Sequence, residues 1–204
     1  MTETLIQLFA KAPIPGQVKT RLIPELGEKG ANEVYLYCLQ HNLDWLNSCG
    51  QDVQVWLDQP SGHALFNGLN IQLQQGRHLG EKMFHALSSE LRKKPVRYRK
   101  VILIGSDCLD LTPALLQRVD CKLDQSDLVF IPAEDGGYVL IAARNDIDPI
   151  LFENIDWGSN RVMRQTLDRI RKLGLSVILM NPLRDIDRWQ DLKHYPQLNA
   201  FIHT

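Results

Sequence analysis

The chain has 204 residues, of which 44% are hydrophobic, and it carries a formal net charge of −1. This length and apolar content suffice for one sizeable core, and the near-neutral charge argues against nucleic acid as the main partner. No apolar run reaches the roughly 18 residues of a membrane span, and the start of the chain lacks the features of a signal peptide. We therefore expect a cytoplasmic protein.

The first half of the chain predicts three strands and two helices. An apolar run at residues 5–9 ends in a loop rich in Pro and Gly, which is typical of a buried strand. Apolar residues at helical spacing predict a helix over 30–46. Further strands are predicted at 53–57 and 71–73, and a second helix at 79–91.

The second half continues the alternation of strands and helices. The run 101–105 is apolar throughout, as expected of a strand buried on both faces, and Thr112-Pro113 is typical of a helix start. Strands at 128–132 and 138–142 are joined by five residues with two glycines, which predicts a hairpin and hence one antiparallel strand. A helix at 160–173 and a strand at 175–180 follow.

This alternation predicts an α/β fold with helices on both faces of a mixed sheet. No repeat, low-complexity stretch or linker interrupts it, so we interpret residues 1–204 as a single domain. The four cysteines include no CxxC pair, which favours reduced thiols over a structural zinc site.

The loop after the first strand, residues 9–22 with the sequence FAKAPIPGQVKTRL, is the first candidate site. It carries Lys11, Lys19 and Arg21 around Gly16. Ligands of open α/β sheets bind beyond the carboxyl ends of the strands, and three cations with a glycine for close backbone approach suit a polyphosphate. The Walker A pattern is absent, and a solvated basic loop is the alternative interpretation.

Asp107 follows the most buried predicted strand, so it is presented at the same edge of the sheet as the basic loop. A carboxylate there is placed to hold Mg²⁺ or Mn²⁺, because Mg²⁺ typically takes one or two protein carboxylates and completes its shell with phosphate oxygens and water. The alternative is a turn cap before the next helix, a role that Asp110 fits better.

Three further segments contain polar residues at predicted loop positions. The turn at 134–138 either serves only as a turn or brings Asp135 and Tyr138 to a ligand. Asp185 and Asp187 alternate and could face one cation, although the pattern taken alone favours a solvated acidic loop. Gly80 lies at a predicted helix N-terminus, a position that can bind an anion or a base.

The order of these motifs resembles the glycosyltransferase-A superfamily. Within it, the chain is similar to a small bacterial family of glycosyltransferase-like proteins, first classed as of unknown function, some members of which are associated with radical-SAM proteins and arsenosugar biosynthesis. The resemblance covers nearly the whole chain. It rests on FAKxPxxGxVKTRL at 9–22, QGxxLGExM at 75–83, GSDC at 105–108, DGGY at 135–138 and DID at 185–187.

The resemblance implies a three-layer α/β/α sandwich with a mixed, mostly parallel sheet of about seven strands, the nucleotide-diphospho-sugar transferase fold. It also implies roles for the matching residues. The implied nucleotide- and phosphate-binding residues are Lys11, Gly16, Lys19, Arg21 and Gly80. The implied catalytic carboxylates are Asp107, Asp135 and Asp187, of which Asp107 and Asp187 would be the metal ligands.

Three features depart from the family pattern. Leu109 stands where the family has the proline of Gly-Ser-Asp-x-Pro. Trp157-Gly158-Ser159 replaces Trp-Ser-Thr, with the loss of one hydroxyl. The superfamily's Asp-x-Asp is reduced to the single Asp107.

We expect a metal-dependent transferase that takes a glycosyl group from a nucleotide-sugar to a small-molecule acceptor. Lys19, Arg21 and the metal would stabilise the leaving nucleoside diphosphate, and Asp135 or Asp187 would accept the acceptor's proton. One alternative is a nucleotidyltransferase using an NTP and a phosphorylated acceptor, since the basic loop resembles that of phospholactate guanylyltransferases. The other is a non-catalytic nucleotide-binding protein, favoured by the altered 157–159 segment.

Overall fold

The computed structural model describes residues 3–201, and the first two and last three residues lie outside the described range. Within that range the chain forms seven strands and five α-helices, which confirms the α/β class. The strands are β1 (Thr4–Ala10), β2 (Asp52–Leu57), β3 (Ile71–Leu73), β4 (Lys100–Gly105), β5 (Leu128–Pro132), β6 (Tyr138–Arg144) and β7 (Val177–Leu179). The helices are α1 (Ile23–Ser48), α2 (Leu79–Leu91), α3 (Pro113–Leu123), α4 (Val162–Leu173) and α5 (Trp189–Leu192).

All seven strands belong to one sheet with the order β3-β2-β1-β4-β6-β5-β7. Strand β6 is antiparallel to both of its neighbours, and the remaining pairs are parallel. The predicted mixed, mostly parallel sheet with one antiparallel strand is therefore confirmed. The other six strands all end at the same side of the sheet, which we call the carboxyl edge, and the turn between β5 and β6 lies there too.

Helices cover both faces of the sheet and give the three layers that the resemblance implies. Alternate residues of β1 enter opposite cores, Ile6 and Leu8 toward α1 and α3, and Leu5 and Phe9 toward α2 and α4. A third cluster joins α1 to the C-terminal segment and includes the fully buried Ile186. No helix within residues 3–201 is long and apolar enough to cross a membrane.

The structure extends one predicted helix and shortens the last strand. Helix α1 begins at Ile23, with a break at Gly27 (φ 67°, ψ 173°), whereas the apolar periodicity becomes continuous only after residue 30. Strand β7 covers three residues at the edge of the sheet, where it pairs with β5 alone. The periodicity missed the first turns of α1 because they are mostly exposed to solvent.

The turn between β5 and β6 packs closely against the segment that precedes α4. Gly136 has φ 95°, and its carbonyl accepts a hydrogen bond from the Met163 amide at 2.9 Å. A Cβ atom at Gly136 would lie 2.3 Å from the carbonyl oxygen of Asn160. The glycine therefore serves a close approach between two backbone segments, which fixes the position of the turn at the carboxyl edge.

We expect Gly136→Ala to lower the free energy of unfolding by about 3 kcal/mol, because it combines a positive φ with a backbone overlap. Gly158→Ala is the matched control, since Gly158 has φ 84° but nothing within 4 Å of its Cβ position. That control should cost about 1 kcal/mol from backbone conformation alone. Urea unfolding of both variants measures the difference, and equal losses would contradict the close-packing account.

Candidate functional site

The basic loop, residues 11–21, lies over the carboxyl edge and is held there by side chains from outside it. The buried Tyr35 hydroxyl accepts a hydrogen bond from the Lys11 amide at 2.7 Å and donates one to the Lys11 carbonyl at 2.9 Å. Asp58, just after β2, accepts a hydrogen bond from the Ala12 amide at 2.7 Å. The loop's course is therefore set by the core helix α1 and by the neighbouring strand.

Lys19 is the buried cation of this loop. Its side chain is 4% exposed, its ammonium lies 2.8 Å from Asp107 Oδ1, and it also donates to the Ile186 carbonyl. Burial by itself would lower the pKa of Lys19, but the negative charge of Asp107, with a smaller contribution from Asp187, outweighs burial and raises it. Lys19 is thus held charged, and it joins the basic loop, the end of β4 and the C-terminal segment.

Arg21 and Asp187 form a second ion pair at the same edge. The amides of Asp187 and Arg188 both donate to Asp191 at the start of α5, at 3.0 and 2.6 Å. The Asp187 carboxylate is therefore presented by a segment whose backbone is already fixed.

Lys11 differs from the other two cations of the loop. Its side chain is exposed, and it forms no ion pair with any carboxylate in residues 3–201. Its positive charge is therefore available to a ligand without the loss of an internal contact.

These residues line one cavity of about 380 Å³, which we call the β1–β4 cavity. Among the predicted site residues, it brings together Lys11, Lys19, Arg21, Asp107 and Asp187. Alternating cations and carboxylates in one cavity can bind an anionic ligand and a metal ion at the same time.

The two predicted glycines serve the surrounding structure. Gly16 has φ 81°, and a Cβ atom there would lie 3.2 Å from the Glu28 carboxyl carbon. Gly80 is buried in the first turn of α2, where a Cβ atom would lie 2.7 Å from the Trp157 ring and 2.9 Å from the Phe152 carbonyl oxygen. Their contact with a nucleotide remains a prediction.

Asp135 lies outside the β1–β4 cavity, near enough to Asp185 for its charge to raise the pKa of Asp185. It accepts a hydrogen bond from the Gly137 amide at 2.9 Å, and both carboxylates line two further cavities. One of these, of about 230 Å³ and bounded mainly by β6, the start of α2 and the segment that leads into α4, we call the apolar cavity. Tyr138 also lines it. The Tyr138 hydroxyl lies 3.8 Å from the Met83 sulfur, so the ring rather than the hydroxyl is available to contact a ligand.

Asp185 is a further candidate residue, which the sequence motifs indicate only together with Asp187 and without a separate role. Burial raises its pKa to about 6, with additional contributions from the negative charges of Asp135 and Asp107. The signal in the sequence is the alternation of Asp185 and Asp187 around Ile186, which enters the core. That alternation turns both carboxylates away from the core, toward the cavities at the carboxyl edge.

The carboxylates of the β1–β4 cavity suit a metal ion that arrives with phosphate. No group of three or more His, Cys, Asp or Glu side chains in the described part of the chain could hold a metal by itself. Asp107 and Asp187 line the same cavity, each beside a cation. Two carboxylates, with phosphate oxygens and water as the remaining ligands, fit Mg²⁺ or Mn²⁺.

The chain matches one known protein family. Residues 43–159 match the model of a family described as an uncharacterized protein conserved in bacteria, DUF2064. The chain belongs to this family. The family resemblance that the motifs indicate is confirmed, and a search of curated protein sequences found no match.

Solved structures of this fold include one close relative of this DUF2064 member. A proposed nucleotide-diphospho-sugar transferase from Desulfovibrio desulfuricans G20 is 31% identical, over 97% of this chain and 88% of that one, with a TM-score of 0.87. CMP:2-keto-3-deoxy-manno-octonic acid synthetase complexed with CTP is 10% identical over 98% and 99%, with a TM-score of 0.58. Rv0371c of Mycobacterium tuberculosis H37Rv, complexed with manganese, is 15% identical over 96% and 99%, with a TM-score of 0.52.

The last two similarities show a shared fold alone. Together with the closer relative, they confirm the nucleotide-diphospho-sugar transferase architecture that the resemblance implies for this chain.

We expect Asp185→Asn to stabilise the protein at about pH 7.5 by on the order of 1 kcal/mol, and to have little effect at about pH 4. The pKa of Asp185 is raised from its usual 3.8 to about 6, so the native state binds this proton more tightly than the unfolded chain. The contribution of Asp185 to the stability of the wild type is fully present below the pKa that this residue has in the unfolded chain. It is lost as the pH rises through about 6.

Urea unfolding of the wild type and of Asp185→Asn at both pH values measures this effect. A variant that is less stable than the wild type at the higher pH would contradict the unfavourable burial of the Asp185 charge.

Proposed function

We propose that this DUF2064 protein is a transferase that binds a nucleotide-sugar at the carboxyl edge and transfers its glycosyl group to an acceptor hydroxyl. The observation that carries the proposal is the β1–β4 cavity, where two cation–carboxylate pairs and the unpaired Lys11 face one space. The 31% identical relative, itself a proposed nucleotide-diphospho-sugar transferase, supports the choice of donor.

A diphosphate with a divalent cation matches the charges of this cavity. Lys19 and Arg21 supply the positive charge that phosphate oxygens require, while Asp107 and Asp187 would hold the metal. Bound there, the metal would neutralise charge on the diphosphate. Lys19, held charged below Asp107, needs no rearrangement of protons to stabilise the leaving group.

In the transfer step the acceptor oxygen forms a bond to the anomeric carbon, and the bond between that carbon and the diphosphate oxygen breaks. The nucleoside diphosphate leaves with the electron pair of that bond, and a carboxylate accepts the acceptor's proton. Asp135 suits this last role better than Asp187, because Asp187 is paired with Arg21 whereas Asp135 has no ion pair within residues 3–201. Asp135 also lines the apolar cavity next to the β1–β4 cavity.

Nucleotidyl transfer from an NTP is the second candidate, and the three cations of the basic loop favour it. Lys11, Lys19 and Arg21 together match the charge of a triphosphate better than two cations would. The released product separates the two reactions. Pyrophosphate identifies nucleotidyl transfer, and a nucleoside diphosphate identifies glycosyl transfer.

We expect Asp107→Asn to abolish the Mg²⁺- or Mn²⁺-dependent rise in melting temperature that nucleotide-sugars cause in the wild type. A ligand that binds only the native state stabilises it by mass action, about 2.7 kcal/mol at 100 times its Kd. The loss follows because the variant removes a metal-binding carboxylate and a charge beside Lys19. Each shift is measured against the same variant without ligand, since Asp107→Asn also weakens the Lys19 contact.

Asp168→Asn is the control, because Asp168 lies on the outer surface of α4 in an exposed pair with Arg171. Its ligand-dependent shift should equal that of the wild type. An unchanged metal-dependent shift in Asp107→Asn would disprove the role of the β1–β4 cavity.

A further inference from the structure

The apolar cavity opens beside the β1–β4 cavity. Phe9, Leu79 and Gly105 line both cavities, so the two meet at the ends of β1 and β4. A Cβ atom at Gly105 would find only one neighbour within 4 Å, the Val139 carbonyl oxygen at 4.0 Å. No side chain at position 105 therefore separates the two cavities where they meet.

The walls of this cavity are aromatic and aliphatic. The Tyr138 and Trp157 rings meet edge to face with centroids 6.5 Å apart, and Met83 and Val162 also line the cavity. The hydroxyl of Tyr138 is directed at Met83, and burial raises the pKa of Tyr138, so this group stays neutral. No lysine, arginine or histidine of the described chain lines the cavity.

The acidic residues of the cavity lie on one part of its lining. Asp135 and Asp185 line both the apolar cavity and a neighbouring charged cavity, which places them where the two spaces adjoin. A carboxylate here can accept a hydrogen bond from a single hydroxyl of a molecule whose body occupies the apolar part.

We propose that the apolar cavity binds the acceptor, and that the acceptor is a small alcohol with an apolar body, such as a phenol or a branched aliphatic alcohol. The assignment of this cavity to an acceptor rests on the proposed glycosyl transfer. Apolar walls favour such a body, whereas most hydroxyls of a polyol would lose their hydration there without finding a partner. Asp135 and Asp185 disfavour a phosphate group inside the apolar cavity, because the arginines nearby, Arg21, Arg184 and Arg188, line the adjoining charged cavity instead.

The size of the cavity limits the apolar body of the acceptor to a small group. Its volume of about 230 Å³ lies just below the roughly 300 Å³ at which pockets for drug-sized ligands begin. One ring or a short branched chain fills such a space.

Ligand-observed NMR with 4-methylphenol tests the cavity, with erythritol as a polyol of the same number of non-hydrogen atoms. Leu79→Gln places an amide at the junction of the two cavities. Because Leu79 is 45% exposed at the start of α2, we expect the variant to fold. Leu179→Gln is the matched control, since Leu179 is also 45% exposed and lies on β7 away from the cavity.

We expect saturable binding of 4-methylphenol to the wild type, about tenfold weaker binding to Leu79→Gln, and unchanged binding to Leu179→Gln. Erythritol should show no saturable binding. Absence of phenol binding, equal weakening in the two variants, or preferential binding of erythritol would overturn the proposal.

The same titration with UDP or GDP plus Mg²⁺ separates this inference from the proposed function. If the nucleotide binds and the phenol stays bound, both stand. If the nucleotide displaces the phenol, the cavity belongs to the donor and the acceptor assignment is wrong. Thermal-shift measurements on the same samples supply the third outcome. If neither nucleotide raises the melting temperature while the phenol still binds as expected, the donor assignment fails. The phenol site then can no longer be called an acceptor site, but it remains a site for an apolar ligand.

Discussion

The buried ammonium of Lys19 holds together the candidate site of this protein. It reaches Asp107 after β4 and the Ile186 carbonyl in the C-terminal segment, while its own backbone belongs to the loop after β1. Three segments that are distant in the chain are thus joined at one charged atom. A buried cation is costly unless it is paired and hydrogen-bonded, so this contact constrains all three segments at once.

The surrounding charges follow from that constraint. With Lys19 committed to Asp107, the second pair of Arg21 and Asp187 forms at the other side of the same cavity, and Lys11 remains exposed. The internal neutralisation keeps the cavity stable without a ligand. A metal-bound diphosphate carries charges of both signs, so it can replace both internal pairs by contacts of the same kind.

The division between a charged and an apolar cavity reflects the change of strand direction next to β4. On one side of β4 the parallel neighbour β1 ends in the basic loop, and on the other the antiparallel β6 begins, with Gly137 and Tyr138 contributing to the apolar cavity. The antiparallel strand therefore brings aromatic surface to the edge where the parallel strands bring polar loops. Two ligands of different chemistry can meet at this boundary.

The sequence alone determined the order of the seven strands and four main helices, the α/β class and most of the charged residues at the carboxyl edge. Apolar periodicity found α2 to the residue, because its buried and exposed faces alternate regularly, and the two glycines between β5 and β6 marked the hairpin. The alternation of Asp185 and Asp187 around the buried Ile186 was visible for the same reason.

Only the tertiary structure decided which charges pair and what the glycines do. Lys19 and Arg21 look alike in the sequence, yet one is buried beneath Asp107 and the other is exposed beside Asp187, because burial depends on the packing of α1 and the C-terminal segment. Gly80 and Gly136 both make room for neighbouring protein atoms, a role that no local pattern indicates, while the nucleotide contact of Gly80 stays a prediction. The pKa of Asp185 depends on Asp107 and Asp135, and the apolar cavity is lined by residues from five strands and helices, and no local pattern encodes such distant neighbours.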